Sequence, residues 1–467
     1  MLSNNAKFNA YDLSVIFGED NLLNFTEETQ GIGVSTDTRT IVSGNCFLAL
    51  KGEKLDGHQK IFEAYDKGAV FVIANTDWAK DNINSIDTKP IVLVKDSLKA
   101  LGQLANFHRR RFNCNIIAVG GSNGKTTTKD MIAYVLSGRF NVLKTAENYN
   151  NQIGVPLTLL QLNETIDVAV IEIGTNEPGE ISILSSIIEP THGLITNIGR
   201  EHLEKLIDLD GVEMEETFLF GYLKKHNGYA FINLDDERLK KYSNFLDKRI
   251  SYGNDPSADI VADIQLDSTL HPIINIKYDS STLEIKLKTI GYGTAYSAIA
   301  AFSVAYHFEI PIEIIKQKLE NFYHSSEHSY GRMLLENITD FVLINDCYNA
   351  NPDSMALSLK VLQSYKNIGK KYAILGDMLE LGESSKAEHI EILKTASSVA
   401  DLVLVYGNNM LTASKELNLN NIHHFDDKNA LFNYLLNLIG TDDVLLVKGS
   451  RGMKMEEIIK KLKDYVK

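Results

Sequence analysis

The chain has 467 residues, 44% of them hydrophobic and 23% charged, with a formal charge of -14. That length exceeds one ordinary core, so two or three domains are expected. The acidic balance argues against bulk nucleic-acid binding, which needs clustered Lys and Arg, and restricts any anionic ligand to a local positive pocket.

No apolar run approaches the ~18 residues that a membrane span needs. The start, "MLSNNAKFNAYDL", lacks a basic region followed by an apolar core, so nothing directs export. Cys46, Cys114 and Cys347 are far apart and show no CxxC spacing, which argues against a disulfide framework or a zinc site. A cytoplasmic protein is expected.

In chain order, short apolar runs alternate with helical patterns. "NCFLAL", "VFVIAN" and "PIVLVKD" read as strands, with a helical stretch from Gly57 to Gly68 between the first two. A second block opens at "NIIAVG" and continues through "DVAVIEIG" and "HGLITNIG", the last ending at Gly199. From Asp259 to Gly291 the period falls to two, which predicts an antiparallel patch. The third block, "FVLINDCYN", "KYAILGDM", "DLVLVYG" and "DVLLVKGS", returns to strand followed by helix. This alternation predicts an α/β fold with parallel sheets. Boundaries are expected near residue 113, where "HRRRFN" closes a helix, and near residue 326, after "NFYHSS".

The stretch "AVGGSNGKTTTKDM" runs from a strand through a Gly-rich turn into a helix. Backbone N–H groups of Gly121, Ser122, Asn123, Gly124, Lys125, Thr126 and Thr127 and the helix N-terminus suit an anion. Lys125 is placed to reach terminal phosphates and Thr126 to ligate Mg²⁺, although Val119 breaks the strict GxxxxGK[ST] pattern. An ordinary turn opening a helix is the plainer alternative for the stretch alone. "IEIGTNEPGEI" puts Glu172 at the end of a buried strand, where a carboxylate needs a cation partner or a capping role. His202 follows another strand, and ligands collect at such strand ends in open parallel sheets.

At these residues the chain resembles the Mur ligases. "GGSNGKTTTKDM", "ENYNNQIGVPLTLL", "EIGTNEPGEI", "ITNIGREHLE", "GRM", "INDCYNANPDSM", "LGDMLELGE" and "LVKGSRGMKMEEI" occur in the order and spacing of that family, and "STDTRTIVSGNCFLALKGEKLDGH" resembles its first domain. The resemblance implies three domains: a UDP-sugar-binding α/β domain over 1–113, a central P-loop ATPase-like domain over 114–326, and a C-terminal Rossmann-like domain over 327–467. It implies ATP-dependent, ADP-forming ligation through an acyl phosphate, with UDP-N-acetylmuramoyl-tripeptide and D-alanyl-D-alanine as the small-molecule substrates. ATP and two Mg²⁺ are the implied cofactors, and a monomer without nucleic-acid or membrane partners is expected.

Carried over by position, Lys125, Glu172 and His202 are the catalytic set, and Thr126, Glu172 and His202 the metal ligands. Gly121 to Thr127, Arg332 and Asp346 meet the nucleotide. Asn150 and Asn151 face the muramoyl substrate, Ser35, Asp37 and Arg39 line the uridine site, and Asn349 and Asn351 meet the incoming dipeptide. Asn351 is also a good N-cap before Pro352, and Arg332 is equally compatible with an interdomain salt bridge. The "KGSRGM" loop, Lys448 to Met453, is expected to hold an anion at the next helix start, with a plain helix-start turn as the alternative.

Three positions depart from the family. Where it carries a carbamylated Lys that helps to hold the second Mg²⁺, this chain has Glu216, within "GVEMEETFLF". A carbamylated Lys is a carboxylate on a long arm, so Glu216 or Glu215 is expected to supply that carboxylate directly; a solvated acidic helix face with a degraded second metal site is the alternative. Gly293 and Ser297 stand where the family has a His and a base-reading Asn. Two further readings stay open: a paralogue joining a different carboxylate and amine, and a nucleotide-binding relative without catalysis. A small-molecule kinase would leave "YNANPDSM" and the third block unexplained.

Overall fold

The computed structural model describes residues 3–52, 55–323 and 331–465. Its chain divides into two compact units. Met1–Ala118, Phe140–Gly174 and Gly179–Gly193 form the first, and Val119–Arg139, Thr175–Pro178 and Leu194–Lys467 the second. The boundary expected near residue 326 lies outside the described residues.

In the first unit, strands Leu22–Leu23, Ile91–Val94, Phe71–Asn75, Cys46–Leu48 and Val34–Ser35 are neighbours in that order. The last four run parallel and the first is antiparallel. Phe71, Val72, Ile73 and Ala74 are all buried, as expected of a parallel strand covered on both faces. Phe47, Val72, Ala74 and Ile91 pack with Ile61 and Ala64 of helix Ile61–Asp66. Helix Ser97–Arg109 ends at the basic cluster, as read from the sequence, and packs on Gly154–Leu159 and Glu180–Ile188. Strands Val142–Lys144 and Val168–Glu172 pair in parallel, and Glu172 closes its strand.

In the second unit, Tyr229–Asn233, Arg249–Gly253 and Ile260–Leu266 run parallel, and Pro272–Tyr278 and Ser281–Lys286 continue antiparallel, which is the patch expected from the period of two. Helix Lys125–Leu136 packs against Tyr292–His307 and Ile312–Asn321.

A separate six-stranded sheet has the order Leu334–Ile338, Phe341–Asp346, Val444–Lys448, Lys371–Gly376, Leu402–Tyr406, Ile422–Phe425, parallel except for its first pair. Alternation along its strands separates two cores. Ala373, Leu375 and Leu446 join Leu359, Leu362, Leu393 and Ala396 from helices Pro352–Ser364 and Ser385–Val399. Tyr372, Ile374, Leu445 and Val447 join Leu431, Leu435, Ile458 and Leu462 from helices Lys428–Leu436 and Glu456–Tyr465. Helices therefore cover both faces, the doubly wound arrangement expected for this block.

Two expectations need correction. The strand of "HGLITNIG" stops at Ile195, not Gly199. The segment Thr196 to Gly199 bonds instead to the Gly-rich loop and to Asp236, so its backbone groups are satisfied outside a ladder. The "KGSRGM" loop leads into a 3₁₀ turn, Arg451–Met453, and the next helix begins only at Glu456 with two acidic residues in its first turn. That start does not favour an anion. Among the described residues, no helix is long and apolar enough to cross a membrane.

Candidate functional site

The Gly-rich loop has left-handed backbone at Gly121, φ 107°, and Gly124, φ 81°. A Cβ on Gly121 would fall 2.4 Å from Thr196 Oγ1 and 2.6 Å from the Thr196 nitrogen, so only glycine fits. The Ser122 amide donates to the Asn197 carbonyl at 2.9 Å, the Asn197 side chain donates to the Asn123 carbonyl at 2.9 Å, and the Gly199 amide donates to Ser122 Oγ at 2.8 Å. The loop is thus fixed from the segment that follows Ile195. Helix Lys125–Leu136 starts at Gly124 with no side-chain cap, which leaves its N-terminus to a ligand. Thr127 is buried beside the half-buried Lys125 and Thr126.

Lys125 Nζ donates to the carbonyls of Gly121 and Ser122, the latter at 3.4 Å, and lies 3.4 Å from Glu201 Oε2. Below the loop the Gly121 amide donates to Glu216 Oε2 at 2.8 Å. Glu216 is fully buried at 0% exposure and Glu201 is 8% exposed. Each keeps one buried oxygen, Oε1, without a hydrogen-bond partner among the described residues. Burial, with the Glu201 and Glu215 carboxylates adding to it against the pull of Lys125, pushes the Glu216 carboxyl up to about 7. Thr175 Oγ1 lies 3.3 Å from Glu215 Oε1. The alternative of a solvated acidic helix face is excluded, because Glu213, Glu215 and Glu216 are all buried.

His202 has left-handed backbone, φ 50° and ψ 31°. Its Nδ1 lies 2.6 Å from Glu380 Oε2, and its Nε2 lies 3.8 Å from Glu201 Oε2.

In the first unit, Glu172 is 2% exposed. Its Oε1 accepts from Asn150 Nδ2 at 3.0 Å, and the Asn150 carbonyl accepts from Gly174 N at 2.9 Å, so Asn150 braces the carboxylate. Asn151 Oδ1 instead accepts from the amides of Ile153 and Gly154 and starts the helix Gly154–Leu159. Ser35 Oγ closes a turn by donating to the Asp37 carbonyl at 2.9 Å. The exposed Arg39 guanidinium is held by Asp37, whose carboxyl it keeps below the usual range. Ser35, Asp37 and Arg39 therefore form one prefolded loop.

From the six-stranded sheet, Asp346 Oδ2 accepts from Lys448 Nζ at 2.5 Å and from Ser358 Oγ at 2.6 Å, and its Oδ1 from the Met333 amide at 3.0 Å. Lys448 is 2% exposed, so the loop Lys is an ion-pair partner at its core end. The Arg332 guanidinium lies over the Tyr348 ring, 3.7 Å from its centroid. Asn349 Oδ1 accepts from the Arg451 amide at 3.3 Å. Asn351 caps helix Pro352–Ser364 in a capping box with Ser354, and its Nδ2 donates to Asn123 Oδ1 at 2.9 Å. Arg200 donates from its amide and guanidinium to Asp353 and from Nη1 to Glu388 at 2.8 Å.

The structure thus brings Gly121, Ser122, Asn123, Lys125, His202, Glu216 and Asn351 together. Sequence reasoning passed over Asn197, Arg200, Glu201, Asp353, Glu380 and the bracing role of Asn150. The available signal was the charged triplet Arg200-Glu201-His202 and Asp353 in the first turn after a Pro. Ser297 Oγ accepts from Thr128 Oγ1 at 2.9 Å and donates to the Gly293 carbonyl at 3.2 Å, so its hydroxyl is engaged within the fold.

The donor set fits a hard divalent cation. Buried carboxylate oxygens without partners at Glu201 and Glu216 are the chemistry such a cation seeks. Among the described residues no three His, Cys, Asp or Glu side chains stand together as a ready cage.

Three family models match in sequence: "Mur ligase family, catalytic domain" over 32–109, "Mur ligase middle domain" over 119–305 and "Mur ligase, glutamate ligase domain" over 331–451. The chain is 36% identical to the UDP-N-acetylmuramoyl-tripeptide--D-alanyl-D-alanine ligase of Haemophilus influenzae, covering 94% of this chain and 95% of that one. It is 33% identical to the enzyme of the same name from Bacillus subtilis, covering 93% and 94%. In three dimensions it is similar to MurF from Acinetobacter baumannii, TM-score 0.88 at 27% identity over 99% of this chain and 100% of that one. It is also similar to the MurF ligase of Thermotoga maritima in complex with ADP, TM-score 0.83 at 26% identity over 93% and 97%.

Proposed function

This chain belongs to the Mur ligase family, and we propose that within it the chain joins D-alanyl-D-alanine to UDP-N-acetylmuramoyl-tripeptide with conversion of ATP to ADP and phosphate. The observation that carries this reading is the Gly121 to Thr126 loop, held on an uncapped helix start with Lys125 and buried carboxylates around it. The ADP complex of the Thermotoga maritima relative supports ATP as the phosphoryl donor.

The tripeptide carboxylate attacks the γ-phosphorus and ADP leaves; the amine of the dipeptide then attacks the acyl carbon and phosphate leaves. Both partners of the first step are anions, so positioning and charge neutralisation dominate. The loop amides and helix start hold the phosphates, and Lys125 Nζ moves from its carbonyl partners to the transferring group. Thr126, Glu172, His202 and Glu216 are assigned to two Mg²⁺. When bound there, Mg²⁺ would supply the positive charge that offsets repulsion between the phosphates and the attacking carboxylate.

Arg332 and Asp346 serve the nucleotide, Asn349 and Asn351 the dipeptide, Asn150 and Asn151 the muramoyl peptide, and Ser35, Asp37 and Arg39 the uridine end. The matched segments support domains at 1–113, 114–326 and 327–467. A cytoplasmic monomer completes the reading.

Purified protein with Mg²⁺-ATP should release ADP and phosphate only when both substrates are present, with a UDP-linked pentapeptide in the mass spectrum. ATP binding without release for this pair would favour a paralogue with other substrates or a relative without catalysis.

A further inference from the structure

The His202 ring stands between two carboxylates that are not equivalent. Glu380 Oε2 is 2.6 Å from Nδ1, while Glu201 Oε2 is 3.8 Å from Nε2, beyond hydrogen-bond range. An ionised carboxylate only accepts, so the proton in the short contact belongs to Nδ1, and in the neutral ring Nε2 keeps its lone pair.

We propose that Glu380, at the turn of "LGDMLELGE", is a positioning residue that fixes the His202 ring and its Nδ1–H tautomer so that Nε2 is presented to the metal. The inference rests on the reading of His202 as a metal ligand given above, and adds the residue that aims it. Ligating histidines commonly donate their other ring N–H to a carboxylate, which sets both tautomer and orientation.

The surroundings are built to hold this contact. Glu380 has left-handed backbone, φ 65°, and its carbonyl accepts from the Glu204 amide at 3.1 Å. Leu203 and Leu206, the residues just after His202, share a core cluster with Met378 and Leu381. A Cβ on Gly382 would lie 3.0 Å from Glu204 Cα, so the two segments approach closely. The turn is itself anchored: the Met378 amide donates to His389 Nε2 at 3.0 Å, and the Leu379 amide to Ser450 Oγ at 2.9 Å. The Glu380 side chain is 58% exposed. An exposed ion pair adds little to stability, so removing it tests aim rather than folding.

The test uses the full chain, ¹⁵N-labelled at histidine and free of metal, in alkaline buffer where neutral rings report their tautomers. The His202 signal is assigned by its loss in His202→Gln. Wild type and Glu380→Gln, whose amide oxygen still accepts, should show Nδ1–H. Glu380→Ala should move toward Nε2–H, the ordinary preference of a free imidazole. In the ligase assay, Glu380→Ala should raise the Mg²⁺ needed for half-maximal ADP formation by roughly 10–100-fold, with the KM of both peptide substrates unchanged and Glu380→Gln near wild type. An Nε2–H ring in wild type, or an unchanged tautomer in Glu380→Ala, overturns the proposal. Absence of ADP formation by wild type would refute the ligase reading instead, and the tautomer measurement would still decide the role of Glu380.

Discussion

The Gly121 amide donates to the buried Glu216 carboxylate at 2.8 Å, so a protein carboxylate sits directly beneath the Gly-rich loop proposed to hold phosphate. The resemblance in sequence puts Glu216 at the position of the family's carbamylated Lys. If it supplies the carboxylate directly, ligase activity will not depend on carbon dioxide. Assays in degassed and bicarbonate-supplemented buffer should give equal rates. Glu216→Gln keeps an acceptor for Gly121 but loses the charge, and kcat should drop by roughly 10²–10³-fold. Glu216→Lys should be slow in degassed buffer and recover with bicarbonate. A strong bicarbonate requirement in the wild type would sink the idea.

The same burial predicts a pH signature in the metal-free protein. The Glu216 carboxyl titrates at about 7 in the folded chain against an ordinary 4.5. Between those values the folded state binds more protons than the unfolded one, so stability falls as pH rises. This contribution is fully present below pH 4.5 and is gone above about 7. Thermal unfolding of wild type and Glu216→Gln should therefore diverge across this window, with the wild type losing on the order of 2–3 kcal/mol relative to the variant. Parallel profiles would show that Glu216 is not held in this way.

Asn351 does two things that can be separated. It caps helix Pro352–Ser364, and its Nδ2 donates to Asn123 Oδ1 in the Gly-rich loop. Asn351→Ser retains a capping oxygen but not the reach, so denaturant midpoints should stay near wild type while kcat falls. Asn351→Ala should lose both, with about 1 kcal/mol of stability. Equal kcat in Asn351→Ser and wild type would remove Asn351 from the site.

Arg200 joins the segment after Ile195 to the first turn of helix Pro352–Ser364 through Asp353, and to Glu388. The charges are partly exposed, but the contact includes the Arg200 amide. A double-mutant cycle of Arg200→Ala and Asp353→Asn should give a coupling of about 1 kcal/mol in denaturant unfolding. Additive effects would mean that the pair is present without being felt.

What the sequence revealed was mostly local. The Gly-rich turn that opens a helix, the Asn351 cap and the buried run ending at Glu172 depend on residues within a few positions of each other, and each is found where it was expected. The edge strands Leu334–Ile338 and Ile422–Phe425 were missed because they are only partly buried, and "IHHF" carries two histidines where an apolar run would have announced a strand. Gly199 reads as a strand end because "LITNIG" is apolar enough, yet its amide donates to Ser122 Oγ and the Ile198 amide donates to Asp236, which no local pattern reveals. Glu380 and Glu201 escaped for a related reason. A charged residue after a strand looks solvated until the fold supplies its partner.

The central claim is that this chain activates a carboxylate as an acyl phosphate. The most direct test is to label the terminal carboxylate of UDP-N-acetylmuramoyl-tripeptide with ¹⁸O and follow the label through one turnover with ATP and D-alanyl-D-alanine. The carboxylate oxygen that attacks phosphorus departs with the phosphate, so one ¹⁸O should appear in inorganic phosphate and the other should remain in the new amide. Phosphate free of ¹⁸O, alongside product formation, would contradict the mechanism proposed here.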